Sequence, residues 1–377
     1  MNRIIKNYIS VLMLFAVFSL LLSPAVLAED EEEQQSRYYY FMRPSELSDT
    51  GFVEECIELA QSPGQMFEGT VSNSAVALEA DPDNTVGFIM SGRNNRIDIT
   101  EPGTYAVSGD CRNGSISVKS KTDGVILVLR DLSLTGMYAP VLEIGKNASV
   151  KIVIDGTVVL TDDENAAAAG SVVKIKGGAQ VCLTGSGSLT VNGNSKNGVS
   201  ASGNSSLVID GATMKINAIN DAINSDYDVA IPAGNISISV KGDAIHANRV
   251  LTLGTENGEG PALQIAECDE GLEAFAVNLF SGNIGIDAAD DGINATYRNA
   301  MYGNITFCGF TMTGGVVRIN CGGDGIDSNG NISLIGGSAE IITTREIKAG
   351  EAGIDYDGQL YISDDFELSN LCGFVGY

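Results

Sequence analysis

From about Ile97 onward the chain reads as short apolar runs punctuated by turn dipeptides. Ile97-Asp98-Ile99-Thr100 is followed by Pro102-Gly103 and then by Thr104-Tyr105-Ala106-Val107. Further runs span Val125 to Leu129, Val150 to Ile154, Val172 to Ile175, Ser188 to Val191, Leu207 to Ile209 and Met214 to Ile216. Between them stand Asp155-Gly156, Gly177-Gly178, Asn192-Gly193, Asp210-Gly211, Gly314-Gly315 and Gly336-Gly337, residues that accept the backbone angles of tight turns. β-Branched residues fill the runs, so the pattern predicts strands. They are too short and too evenly spaced for an α/β sheet, and no dinucleotide-type glycine pattern is present. A helical face occurs only between Ser45 and Gln61, where Phe52, Val53, Cys56, Ile57 and Leu59 recur at helical spacing before Pro63. That segment is expected to cap one end of the strand-rich region.

Within the second half one short motif recurs. Gly323-Asp324-Gly325-Ile326-Asp327-Ser328 has relatives at Asp291-Gly292-Ile293-Asn294-Ala295, Glu270-Gly271-Leu272-Glu273-Ala274 and Asp243-Ala244-Ile245-His246-Ala247. Earlier copies are Asp221-Ala222-Ile223-Asn224-Ser225 and Asn197-Gly198-Val199-Ser200-Ala201, and a weaker one is Ala352-Gly353-Ile354-Asp355-Tyr356. Steps in the low twenties, with longer excursions, are the signature of a solenoid whose loops swell on one side. An antiparallel sandwich predicts hairpins but not a pentapeptide repeated once per period. A parallel β-helix does, because coils stacked about 4.8 Å apart place equivalent residues in ladders. Val199, Ile223, Ile245, Leu272, Ile293, Ile326 and Ile354 should then form one inward aliphatic ladder, with the Ala or Ser two residues later also inside. The expected organisation is 1–28 as a signal segment, 29–84 as an acidic tether and helical cap, and 85–377 as the solenoid.

The first 28 residues fit a secretory signal. Arg3 and Lys6 precede an apolar run from Val11 to Leu22, and Val26-Leu27-Ala28 offers a small-residue cleavage site. The run is short for a membrane span, and Glu29, Asp30 and Glu31 follow at once. An exported, soluble, monomeric protein is expected. The chain has 22 basic and 48 acidic side chains. Removing residues 1–28 leaves 20 basic against 48 acidic side chains, a balance of −28. Nucleic acid and anionic membrane are poor partners for such a charge, and divalent cations are good ones. Seven cysteines at irregular spacing read as buried thiols more readily than as a disulfide framework, and Cys182 in particular as a small core residue. The single histidine, His246, argues against a histidine-based centre.

If the aliphatic residue points inward, the residue two before it and the one after it should face outward. The first set is Asn197, Asp221, Asp243, Glu270, Asp291 and Asp324, and the second is Ser200, Asn224, His246, Glu273, Asn294, Asp327 and Asp355. Carboxylates one coil apart repel by roughly 1 kcal/mol even at water's dielectric constant. A hard cation held by carboxylate and amide oxygens relieves this, which points to calcium. The richest pairs are Asp324 with Asp327, Asp291 with Asn294, and Glu270 with Glu273. Against this stands the ordinary preference of Asp and Asn for turns.

The stretch GDGIDSNGNISLIGG, from Gly323 to Gly337, with GDAIHAN, DDGINA and KNGVSAS upstream, resembles the bacterial exported carbohydrate-binding domain-containing proteins known from clostridia. EPGTYAVSGD, from Glu101 to Asp110, and GSGSLTVNG, from Gly185 to Gly193, are similar to that family's coils. The resemblance covers roughly residues 95 to 360. It implies a right-handed parallel β-helix akin to pectate lyases, calcium between coils near the Asp-Gly-Ile turns, and binding of wall polysaccharides such as cellulose and pectic acid without cleavage. Its acidic positions fall on Asp221, Asp243, Asp291, Asp324 and Asp327. Asn197, Ala352 and Glu270 depart from its pattern. With no Trp in the chain, sugar contacts would fall to Tyr297, Arg298 and Tyr302 in the longest excursion. No catalytic residue is expected. A calcium-dependent uronate lyase is the alternative, needing a base such as Lys215, Lys241, Arg249 or Arg318. A structural surface solenoid or adhesin is the second alternative.

Overall fold

In a computed structural model, residues 73–137, 140–164, 170–296, 308–342, 353–370 and 374–376 are described. The signal segment, the tether, the helix expected between Ser45 and Gln61 and the Tyr297, Arg298 and Tyr302 excursion lie outside them. The described chain is all-β. Its only helical pieces are 3₁₀ turns at Ser74–Ala77 and Pro82–Asn84, and every strand pairing is parallel. Hairpins, the hallmark of a sandwich, are absent among the described residues. The molecule is a parallel β-solenoid.

Each full coil contributes to three ladders, which define three faces. The first face begins with the pairing of Arg96–Ile99 on Ser115–Val118 and continues through Leu142–Ile144, Val173–Ile175, Val199–Ala201 and Ile223–Ser225. It then passes through the starts of Ile245–Leu253 and Leu272–Leu279 to Ile293–Ala295, Ile326–Ser328, Ile354–Tyr356 and Phe374–Gly376. The register is the predicted one: Val199 pairs with Ile223, then Ile245, Leu272, Ile293, Ile326 and Ile354 in sequence. All are buried, as are Ala201, Ser225, Ala247, Ala274, Ala295 and Ser328 two residues on. The ladder also extends upstream through Ile97, Ile116, Leu142 and Val173, where the acidic motif does not occur.

The second and third faces are built largely from long strands that turn a corner without breaking. Ser206–Ala218 and Asp228–Val240 each supply both faces, and a register irregularity between Val208 and Ala212 marks the bend. Alternation then fixes the core. In Asn235 to Val240, Ile236, Ile238 and Val240 point inward while Asn235 and Ser237 are exposed. One contiguous cluster of Val, Ile and Leu runs the length of the described solenoid.

The chain before the first coil lies along the outside of the second face. Asn73 Nδ2 donates to the Val181 carbonyl at 2.9 Å, and Lys151 Nζ donates to the carbonyls of Val76 and Leu78 at 2.8 and 2.7 Å. Ala75 packs there against Cys182, Val208 and Ala230. Cys182 is therefore buried as expected, but in this outer cluster rather than the interior. Cys111, Cys268, Cys308 and Cys321 are likewise buried free thiols.

Candidate metal centre at the acidic corner

The recurring acids occupy the corner where the third face ends and the first begins. Most of them do not project into solvent. Asn197, Asp221, Asp243 and Asp324 are each only 5–6% exposed, while Glu270 and Asp291 are half-buried. Asn197 Oδ1 accepts from the Asp221 N–H at 3.4 Å, Asp221 Oδ1 from the Asp243 N–H at 3.1 Å, and Asp291 Oδ1 from the Asp324 N–H at 2.7 Å. Each acid or amide thus satisfies the amide of its own equivalent one coil on, a structural use that backbone geometry alone explains.

The second set forms the adjacent outward row of the first face. Its residues meet the acids in ways that vary along the axis. Asn224 Nδ2 donates to Asp221 Oδ2 at 2.6 Å, whereas Asn294 Nδ2 reaches back one coil to Glu270 Oε2 at 3.2 Å. Asn294 Oδ1 is buried without a hydrogen-bond partner. Glu270 and Glu273, expected as one pair, serve different neighbours. Glu273, 1% exposed, lies 2.5 Å from Nδ1 of His246 on the previous coil, and His246 Nε2 lies 2.7 Å from Asn248 Oδ1. With acceptors at both ring nitrogens, the arrangement suits the imidazolium, which donates twice. Asp243, His246 and Glu273 place ligand atoms within 4.8 Å of one another. The single histidine thus stands inside the acidic corner, in the outward row where the Asp243 copy of the motif puts it.

The other close group is Asp324, Asp327 and Asp355, again within 4.8 Å. Burial, reinforced by Asp291, Asp355 and Asp357, pushes the Asp327 carboxyl up to about 7. Two of its members were expected as ligands. Asp355 was not, although its place after Ile354 in the last copy is the signal that marks it. The bases considered for a lyase are dispersed. Lys215 and Arg318 stand on the third face, in the row running from Lys215 through Ser237. Arg249 Nε is 3.0 Å from Asp228 and its guanidinium lies 4.2 Å from the Tyr227 ring centroid. Lys241 is exposed beside the corner.

Among described helices none is long and apolar enough to cross a membrane. Comparison with curated proteins returns no match. Among solved structures the chain is similar to a polysaccharide lyase-like protein from C. thermocellum, solved as a gadolinium derivative. The two share 21% identity over 78% of this chain and 98% of that one, with a TM-score of 0.41. A family model described as carbohydrate-binding domain-containing protein matches residues 93–346, which takes in most of the stacked coils and the acidic corner up to Asp327 but not Asp355. By that match, the chain belongs to the carbohydrate-binding domain-containing protein family.

Proposed function

We propose that this protein is an exported, calcium-binding, non-catalytic binder of cell-wall polysaccharide, of the acidic pectic type or cellulose. Family membership supports the sugar. The observation that carries the calcium is the convergence of Asp324, Asp327 and Asp355, with the Asp327 carboxyl raised to about 7 by burial and by its acidic neighbours. Three carboxylates this close are the hard oxygen set that calcium prefers, and a divalent charge offsets the repulsion among them. Asp324 is already oriented by its backbone bond to Asp291, so the corner is partly preorganised. Of the remaining expected ligands, Asp221 with Asn224, Asp291 with Asn294, and Glu270 belong to the same corner. Asp243 and Glu273 share their cluster with an imidazole, which is a softer donor than calcium favours.

Calcium here would tie successive coils together and offset part of the net charge of −26. The test is co-sedimentation of the mature protein with calcium-gelled polygalacturonate and with cellulose, each repeated in a chelator under conditions that keep the matrix insoluble. Retention on either matrix supports the reading, and loss of uronate retention in chelator with an unchanged circular dichroism spectrum supports calcium-bridged recognition. No retention on either matrix would remove the polysaccharide-binding reading for these ligands.

A further inference from the structure

The third face holds a trough that the acidic corner does not account for. Its strands Asp228–Val240, Ala262–Cys268, Asn283–Ala288, Val316–Asn320, Gly337–Ile342 and Phe366–Asn370 stack in register. One outward row therefore runs along the solenoid axis as Ser237, Gln264, Gly285, Arg318, Glu340 and Ser369. Gly285 interrupts it. This glycine is not among those with positive φ, so its backbone does not require glycine, and glycine inside a strand weakens the strand. What it provides is room for the Gln264 carboxamide, whose Oε1 lies 2.5 Å from where a Cβ would stand, so that side chain can rest over the strand or swing away from it. Over this notch lies a groove of about 430 Å³, walled by Asn235, Gln264, Asn283, Asp287, Arg318 and Asn320. It continues past Arg318 and Glu340 into a second hollow of about 370 Å³ that ends at Glu367 and Ser369.

The lining chemistry narrows the occupant. Carboxamides carry a donor and an acceptor side by side, the complement of vicinal hydroxyls. Arg318 Nε stands 3.5 Å from Glu340 Oε2, and its Nη1 donates to Asn283 Oδ1 at 3.4 Å. With Asp287, Glu340 and Glu367 against that one guanidinium, the trough repels a polyanion. Coils repeat about every 4.8 Å along the axis, close to the length of one pyranose unit, so an extended chain laid across the strands meets equivalent positions sugar by sugar.

We propose that this trough is the binding site for an extended, neutral, hydroxyl-rich polysaccharide. The chain runs parallel to the solenoid axis, with one sugar seated in the Gly285 notch between Gln264 and Arg318 and hydrogen-bonded by Gln264 and Asn283. The inference rests on the carbohydrate-binding reading above, and it separates the sugar site from the acidic corner, so neutral-glycan binding here does not require calcium as a bridge. The test is calorimetric titration of the full chain with cellohexaose, mannohexaose and hexagalacturonate, with and without chelator, for the wild type, Gly285→Ile and Gln264→Ala. Isoleucine suits an extended strand, and the atoms its Cβ meets first are those of the flexible Gln264 side chain. The expected result is that a neutral hexaose binds, that chelator leaves this binding in place, and that Gly285→Ile weakens it by about tenfold or more, with Gln264→Ala losing less. Neutral-sugar binding undiminished in both variants would overturn the site while leaving the polysaccharide-binding reading intact. Binding of hexagalacturonate alone would overturn the ligand class and spare that reading. No binding of any of the three hexaoses would overturn the site, and retention on the insoluble matrices would then decide the broader reading separately.

Discussion

At Asp327 the sequence places an acid where its surroundings resist ionisation. Burial and the neighbouring Asp291, Asp355 and Asp357 raise its carboxyl to about 7 from an ordinary value of 3.8. Between those values the folded chain keeps a proton that the unfolded chain releases. Without metal, stability therefore falls as pH rises from about 4 to about 7. At about 1.4 kcal/mol per tenfold change in proton affinity, the whole effect amounts to a few kcal/mol. Thermal melts in chelator should show this slope, and Asp327→Asn should flatten it. Calcium should lift the melting temperature most at pH 7 and above, where the carboxylate is free to bind it, and should do so less for Asp327→Asn. Absence of any calcium shift at pH 7 would count against the metal. The buried His246–Glu273 pair makes a second prediction. Glu273→Ala removes the carboxylate bonded to Nδ1 at a site 6% exposed, leaving Asp243 as the acid nearby, and should cost about 1–3 kcal/mol in chemical denaturation. A loss below about 1 kcal/mol would mean the ring is held neutral instead.

The repeating corner shows what the small residue of each copy does. A Cβ on Gly325 would lie 2.5 Å from the Gly353 carbonyl oxygen and 2.4 Å from Cγ2 of Ile341. Ala222 and Ala244 hold the same position in earlier coils and are fully buried, so the corner there has room for a methyl group. Gly325→Val should therefore cost about 1–3 kcal/mol or more through overpacking, while Ala222→Gly should cost about 1 kcal/mol at most. Equal effects in denaturant melts would show that coil spacing does not set the residue. The first face was legible because Asp-Gly-Ile copies mark the same rung each time, and one residue of slip would turn Ile293 or Ile326 to solvent. Upstream, Ser117, Glu143 and Lys174 occupy the outward row without flanking acids, so those coils carried no motif although their Ile116, Leu142 and Val173 stack identically. The other two faces were visible as strands but not as faces, because Asp228–Val240 turns the corner unbroken at Pro232 to Gly234, where turn residues read as the end of a strand rather than as a bend within one. His246 and Glu273 were legible as ladder neighbours, 27 residues apart in successive copies, but the bond between them was not.

Across the whole molecule the three faces carry different surfaces, and this division tells how the parts should fail. The first corner gathers acids, the third face is an open polar trough, and the second is covered in its earlier coils by residues 73–78. That cover is held by hydrogen bonds of Asn73 to Val181 and Ser206, of Ser74 to Gln180 and Ser149, and of Lys151 to Val76 and Leu78, and by one small apolar cluster. The coils beneath share a continuous core and pair by main-chain ladders on both sides. Local opening follows the weaker set of contacts, so the cover should lift well before the solenoid unfolds. Cys182 reports on this directly. Its thiol is 1% exposed and burial pushes its pKa up, so it is inert while residues 73–78 are seated. Cys111, Cys268, Cys308 and Cys321 are equally buried, and none belongs to the cluster that Ala75 covers. In the double variant Asn73→Ala, Lys151→Ala, alkylation read by peptide mapping should accelerate at Cys182 by about tenfold or more while those four cysteines stay protected. The melting temperature should fall by only a few degrees, as expected for loss of about 1–2 kcal/mol of surface contacts. If all five thiols react together, the cover and the coils unfold as one unit, and residues 73–78 are part of the fold rather than a strap laid over it.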